Sequence, residues 1–249
     1  MAHIKLSEIK TTAPKQFDKE KTKAKIETLL AELDELQNLL YAESKHSVLV
    51  VIQGMDASGK DGAVRNVFGR LNSQGVLVQS FKEPTAEELS HDFLWRIHRH
   101  APQKGMIQIF NRSQYEDILI TRVHKMIDDR TAEKRMKAIN DFEWLLSTHN
   151  DTHILKFYLH ISPEEQQKRL EERMSNPKKE WKYNDNDFKE AKLWKDYMKA
   201  YEDCFKYCND IPWTITPSDQ NWYKEFIIAE ALHKLLRSLK MHYPGLKKK

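Results

Sequence analysis

The sequence predicts an α/β fold: a doubly wound, mainly parallel five-stranded sheet flanked by helices, with a helical lid. Three observations carry this. Short apolar, β-branched runs at residues 48–52, 76–81, 106–110, 153–161 and 211–216 alternate with longer stretches of helical periodicity, the pattern of βαβ units. The first run, Val48-Leu-Val-Val-Ile52, is apolar throughout, which suits a central strand covered on both faces. It leads into Gly54-Met55-Asp56-Ala57-Ser58-Gly59-Lys60-Asp61-Gly62, where two glycines bracket four residues ahead of a lysine. That spacing cradles phosphate: turn N–H groups aim inward, a helix N-terminus adds positive potential, and the lysine supplies a mobile charge. Asp61 stands where the usual motif has a Ser or Thr hydroxyl to hold Mg²⁺.

Length and composition fit this outline. The 249 residues suffice for a single domain spanning 1–249, and seven glycines and eight prolines leave little material for linkers. With 40% hydrophobic and 31% charged residues the chain reads as globular with a charged surface. Mean hydropathy is −0.73 and no apolar run approaches the roughly 20 residues of a membrane helix, so no membrane partner is expected. The start, Met1-Ala-His-Ile-Lys-Leu-Ser-Glu8, has no apolar core of a secretion signal, and a cytoplasmic protein is expected. Net charge is +4, a mild excess that suits an anionic ligand and is too weak to indicate nucleic acid. Cys204 and Cys208 lie four apart in a helical pattern and read as ordinary half-buried thiols. Lys247-Lys248-Lys249 reads as a solvated tail.

In chain order, residues 1–17 are irregular. Residues 17–44 form an amphipathic packing helix with Ile26, Leu29, Leu30, Leu33, Leu36, Leu39 and Leu40 on its apolar stripe. A helix over 59–72 follows the glycine turn and ends at Ser73-Gln74-Gly75. Thr85-Ala-Glu-Glu88 is a capping box opening a helix that carries His91, Asp92, Trp95, Arg96, His98 and Arg99. The spacing of His91, His98 and His100 does not suit zinc. Helices follow at 115–126 and 131–149, and Ser162-Pro163 caps another over 163–175. A basic, proline-containing break, Asn176-Pro-Lys-Lys179-Glu-Trp-Lys182, precedes a long amphipathic helix from about 187. Residues 163–207 therefore read as a helical lid region, with a solvated hairpin as the plain alternative. A helix over 219–241 closes the chain.

Together these features point to phosphoryl transfer, a reaction of positioning and charge neutralisation in which Mg²⁺ usually bridges phosphate oxygens. Lys60 and Arg112 suit the transferring oxygens, Asp56 a metal or an acceptor oxygen, and Arg169 and Arg173, four apart on one helical face, a closing lid. Residues alone stop at a phosphotransferase with a phosphate loop.

The chain also resembles a known family. Gly54-Met-Asp56-Ala-Ser-Gly59-Lys60-Asp61-Gly62 is similar to the first motif of the polyphosphate kinase 2 family, whose loop carries an internal Asp and lacks the Ser/Thr. The likeness continues through Glu87–Arg96, Phe110-Asn111-Arg112-Ser-Gln-Tyr115-Glu116-Asp117, Arg169-Leu-Glu-Glu-Arg173, Asn176-Pro177-x-Lys179-x-Trp181-Lys182, Tyr201-Glu202 and Pro212-Trp213 to Asp219 and Trp222. The resemblance implies reversible transfer of a terminal phosphoryl group between inorganic polyphosphate and a nucleotide, with Mg²⁺, or Mn²⁺ in its place. It implies Asp56, Lys60 and Arg112 as the catalytic centre, Arg169 and Arg173 as lid residues, and Lys179 and Lys182 along a polyphosphate channel. Met55, Ala57, Ser58, Gly59, Asp61, Asn111 and Glu116 complete the phosphate and nucleotide site, with Asp56 and Glu116 as metal ligands. Asn111 with Glu116 resembles the branch that accepts both AMP and ADP. A homo-oligomer, dimer or tetramer, is expected. The competing readings are an ATP-dependent nucleoside monophosphate kinase on the same scaffold and a non-catalytic binding module.

Overall fold

The computed structural model describes residues 4–246. Its strands are β1 (Ser47–Gln53), β2 (Val76–Ser80), β3 (Ile107–Asn111), β4 (Thr152–His160) and β5 (Trp213–Pro217). They form one five-stranded sheet in the order β2-β3-β1-β4-β5, and every neighbouring pair is parallel. The helices are α1 (Lys19–Glu43), α2 (Lys60–Ala63), α3 (Ala86–Leu89), α4 (Trp95–His98), α5 (Glu116–Val123), α6 (Asp129–His149), α7 (Pro163–Ser175), α8 (Asp185–Ala191), α9 (Trp194–Tyr207) and α10 (Asn221–Ser238).

Side chains alternate across the strands, so β1 feeds two cores. Val48, Val50 and Ile52 join Ile107, Ile109, Phe157 and Leu159 on one face, covered by Leu33 and Leu40 of α1 and by Phe226 and Leu232 of α10. Leu49 and Val51 join Phe110 and Tyr158 on the other, covered by Ile118 of α5, Ile139 and Phe142 of α6, and Tyr201 and Phe205 of α9. The chain winds from β1 to β2, back to β3, then crosses to β4 on the far side of β1. The carboxyl end of β1 is thus a switch point, where such sheets form their ligand crevice.

Several expected elements are shorter or broken. The helix expected over 59–72 is one α turn followed by a wider π turn over Val64–Phe68. The helix expected through Arg99 splits into α3 and α4. After the expected capping box, the Ser90 hydroxyl turns back to the Glu87 carbonyl and the Asp92 carboxylate takes the Leu94 N–H. These side chains compete with the helical ladder. The long helix expected from 187 is two, α8 and α9, separated at Lys192-Leu193. β5 starts at Trp213, whose N–H is taken by the Asn209 side chain. Both cysteines are fully buried free thiols rather than half-buried ones, because α9 is packed into the core. His91 stacks on Trp95, while His98 and His100 meet the edges of different rings, Phe142 and Phe81. The lysine tail lies outside the described residues. No helix among those described is long and apolar enough to cross a membrane.

Candidate active site

The glycine turn follows β1 at the switch point. Gly54 (φ +152°) and Gly59 (φ +93°) both adopt backbone conformations that side chains rarely take. A Cβ on Gly54 would lie 2.9 Å from the Leu159 carbonyl, and one on Gly59 would lie 2.1 Å from Lys224 Nζ. Every carbonyl of the turn accepts a hydrogen bond from the protein. Lys60 Nζ donates to Gly54 O (2.7 Å) and Met55 O (3.1 Å), and Gln166 Nε2 donates to Asp56 O (3.0 Å). Arg169 Nη1 donates to Ala57 O (3.1 Å) and Ser58 O (3.2 Å), Lys224 Nζ to Ser58 O (3.1 Å), and the Ala63 N–H to Gly59 O. For the N–H groups of Asp56, Ala57, Gly59 and Lys60 no acceptor is found among the described residues. Carbonyls turned to protein and N–H groups left over make an anion-binding nest at a helix start.

The charges around this nest come from α2, from the turn after β3 and the start of α5, and from α8 and the segment before it. Arg112 (φ +63°) follows β3 directly and pairs with Asp56 of the loop and with Glu116, 3.7 Å away. Burial works against the guanidinium, but Glu116 and Asp56 raise its pKa above the ordinary arginine value. Lys60 is buried, and desolvation together with Arg112 pulls its pKa down to about 8 against the pull of Asp56, Glu116 and Asp61. Asp187 of α8 is raised by burial and by repulsion from Asp56. Asp61 accepts from Asn111 Nδ2 (2.9 Å) and Lys182 Nζ (2.7 Å); burial pushes its carboxyl up, and these donors outweigh it and hold it low.

The site residues read from the sequence divide accordingly. Asp56, Lys60, Asp61, Asn111, Arg112, Glu116 and Lys182 converge on the loop, and the backbones of Met55, Ala57, Ser58 and Gly59 build it. Arg169 is at the loop, but as a brace. Its Nε donates to Glu165 (2.8 Å), Nη1 to the two loop carbonyls, and Nη2 to Ser218 O (2.9 Å) and Asp219 O (2.8 Å). Arg173 pairs with Asp187 and lies beside the Lys182 carbonyl. Lys179 pairs with Glu172 on an exposed flank and does not reach the loop.

Sequence reading missed Gln166, Asp187 and Lys224, mid-helix polar residues whose spacing carries no signal. It also missed a buried cluster behind Arg112. There Lys156 Nζ donates to Glu143 Oε2 (2.7 Å), the Tyr115 hydroxyl (2.8 Å) and Cys208 O (2.9 Å), while Tyr115 OH and Gln114 Nε2 donate to Glu143 Oε1. With Gln53 Nε2 donating to Ser113 Oγ (3.0 Å), it fixes the β3–α5 turn that presents Arg112 and Glu116. An unpaired Lys or Glu in a strand or helix core would have been the clue.

The chain that carries this site is similar to known proteins along nearly its whole length. The family model described as Polyphosphate kinase 2 matches residues 16–246. The AMP/ADP-polyphosphate phosphotransferase of Meiothermus ruber is 46% identical over 214 residues, covering 85% of this chain and 80% of its own. The ADP-polyphosphate phosphotransferase of Rhodopseudomonas palustris is 42% identical over 233 residues, covering 88% of this chain and 80% of its own. The crystal structure of Polyphosphate Kinase 2 from Arthrobacter aurescens TC1 superposes with a TM-score of 0.96 at 39% identity, covering all of this chain and 90% of its own. A match over nearly the whole chain places it in that family: the protein is a member of the polyphosphate kinase 2 family.

Proposed function

We propose that this chain transfers the terminal phosphoryl group of inorganic polyphosphate to nucleoside mono- and diphosphates, AMP to ADP and ADP to ATP, reversibly. The observation that carries this is the loop itself: a nest of free N–H groups flanked by Lys60 and Arg112 at the switch point of a sheet whose family is polyphosphate kinase 2. An acceptor phosphate oxygen forms the new P–O bond as the bond to the shortened polyphosphate breaks. The nest, Lys60 and Arg112 neutralise the charge spread over the transferring oxygens. In this reading Asp56, held by Arg112, orients the acceptor oxygen.

Mg²⁺, or Mn²⁺, fits the donors. Asp56, Glu116 and Asp187 are hard carboxylate oxygens gathered around Arg112, and no ready-made group of three metal-holding residues exists among the described residues. Mg²⁺ takes one or two carboxylates and completes its shell with phosphate oxygens and water, so a sparse set suits it. Asp56 and Glu116 would hold it, and when bound it would supply positive charge to offset that of the transferring phosphates. Residues 163–207 act as the lid in this reading, with Arg173 and Lys182 on the moving part and Lys179 farther along the polyphosphate track. The enzyme works as a cytoplasmic homo-oligomer.

The test is purified protein with Mg²⁺, polyphosphate as sole donor, and AMP and then ADP as acceptor. ADP and ATP are expected. Their absence, or their formation only when ATP replaces polyphosphate as donor, overturns the reading.

A further inference from the structure

Lys224 is the least expected group at the loop. It lies in the first turn of α10 and is 1% exposed. Its Nζ donates to Ser58 O (3.1 Å) and to Asn221 Oδ1 (2.7 Å). It also occupies the space beneath Gly59, where any Cβ would collide with it. Its neighbours are charged: Arg169 and Glu165 from α7, Lys60 from α2, and Glu225 from its own helix. Burying an ammonium beside two other cations opposes folding, and an apolar side chain would fill the place more favourably. What an apolar side chain could not do there is share with Arg169 in holding the Ser58 carbonyl and add positive potential under the nest.

We propose that Lys224 is a positioning residue for phosphoryl transfer: from behind the loop it fixes the Ser58 carbonyl, keeping the Gly59 and Lys60 N–H groups turned toward the phosphates, and its charge couples to the bound polyanion. This rests on the phosphotransferase reading above. The coupling has a definite sign. Burial, then Arg169, pulls the Lys224 pKa down to about 7, below Lys60 at about 8. Lys224 is therefore charged below about pH 7 and mostly neutral above it. A polyanion favours the charged form, so affinity is greatest at low pH and weakens as pH rises through 7.

The experiment compares the unaltered enzyme with K224R and K224M from pH 6 to 9. It measures kcat and KM for polyphosphate, calorimetric affinity for tripolyphosphate, and the thermal unfolding midpoint. In the unaltered enzyme KM should rise through pH 7. K224R, charged throughout, should keep most of the rate and lose that rise, retaining only the one near pH 8 that belongs to Lys60. K224M should lose roughly 10–100-fold in kcat/KM with no loss of thermal stability, as expected for a misplaced loop. K224M with unaltered kinetics, or K224R that keeps the rise at pH 7, overturns the proposal. Should K224M not fold, the pH profiles of the unaltered enzyme and K224R decide. If no nucleotide forms from polyphosphate the functional reading fails, while tripolyphosphate affinity against pH still tests Lys224.

Discussion

The phosphate loop and the segment from Asn176 to Leu193 face each other across the same site and are held in opposite ways. Each loop carbonyl from Gly54 to Gly59 has a protein donor, several from buried charged groups. The facing segment is short on apolar anchors: Trp181 is 77% exposed, and the ties are ion pairs, Lys182 with Asp61, Arg173 with Asp187 and Lys179 with Glu172. Such partly exposed pairs contribute about 0–1 kcal/mol each. Immediately beyond, α9 buries Tyr197, Tyr201 and Phe205, each worth about 1.5–3 kcal/mol. Within the lid proposed over residues 163–207, α9 is therefore the firmly packed part and the stretch between α7 and α9 the weakly anchored one. A transferase needs both: a nest that does not reorganise, and a cover that opens for a chain-like donor.

The contrast can be broken most sharply at Lys60. Lys60→Ala should lower kcat by about 10³-fold or more while the unfolding midpoint stays within a few degrees, since a preorganised charge on the transferring group is lost. Equal loss of stability would show the lysine to be a brace rather than a catalyst. Next is the cluster behind Arg112. Glu143→Leu strands the fully buried Lys156 and should cost about 3–5 kcal/mol in urea unfolding, whereas the double variant with Lys156→Met should recover most of it. A stable single variant would mean that the fixed half tolerates an unpaired charge. Arg169→Ala removes the donors that tie loop carbonyls to Ser218 and Asp219, and kcat should fall roughly 10–100-fold with modest destabilisation. An effect confined to KM would instead make Arg169 a lid residue. Lys182→Ala, on the movable side, should raise KM for polyphosphate only a few-fold, and the difference should shrink with added salt.

The parts legible in sequence are those with local rules. The apolar β1 run, the Gly-x4-Gly-Lys turn, the Ser162-Pro163 cap and the alternation of strands with helices all specify themselves within a few residues. Arg112 was legible because a charge at a parallel strand's carboxyl end has few other reasons to be there. Other features depend on distant partners. Lys224 and Gln166 look like ordinary helix-surface residues until α10 and α7 pack against the loop. Arg169 reads as a lid arginine by spacing, and only the fold shows its five donors already engaged. The break between α3 and α4 comes from Ser90 and Asp92 outcompeting a helix whose cap was correctly read.

The dependence of the loop on the far end of the chain also constrains how the molecule is made. Asp219 takes the Thr11 hydroxyl and the Ser162 N–H, its carbonyl takes Arg169, and Lys224 follows five residues later, so the first dozen residues, α7 and α10 meet at one junction. Thr11 and Asp219 are 208 positions apart. During synthesis from the N-terminus, β1 and its glycine turn emerge long before the residues that hold their carbonyls. A nascent chain that stops before α10 carries the complete phosphate motif with its Gln166 and Arg169 donors yet lacks Lys224 beneath it. The loop is thus fully braced only once α10 has been made, and phosphate ligand should rescue folding of chains that include α10 more than of chains that stop before it.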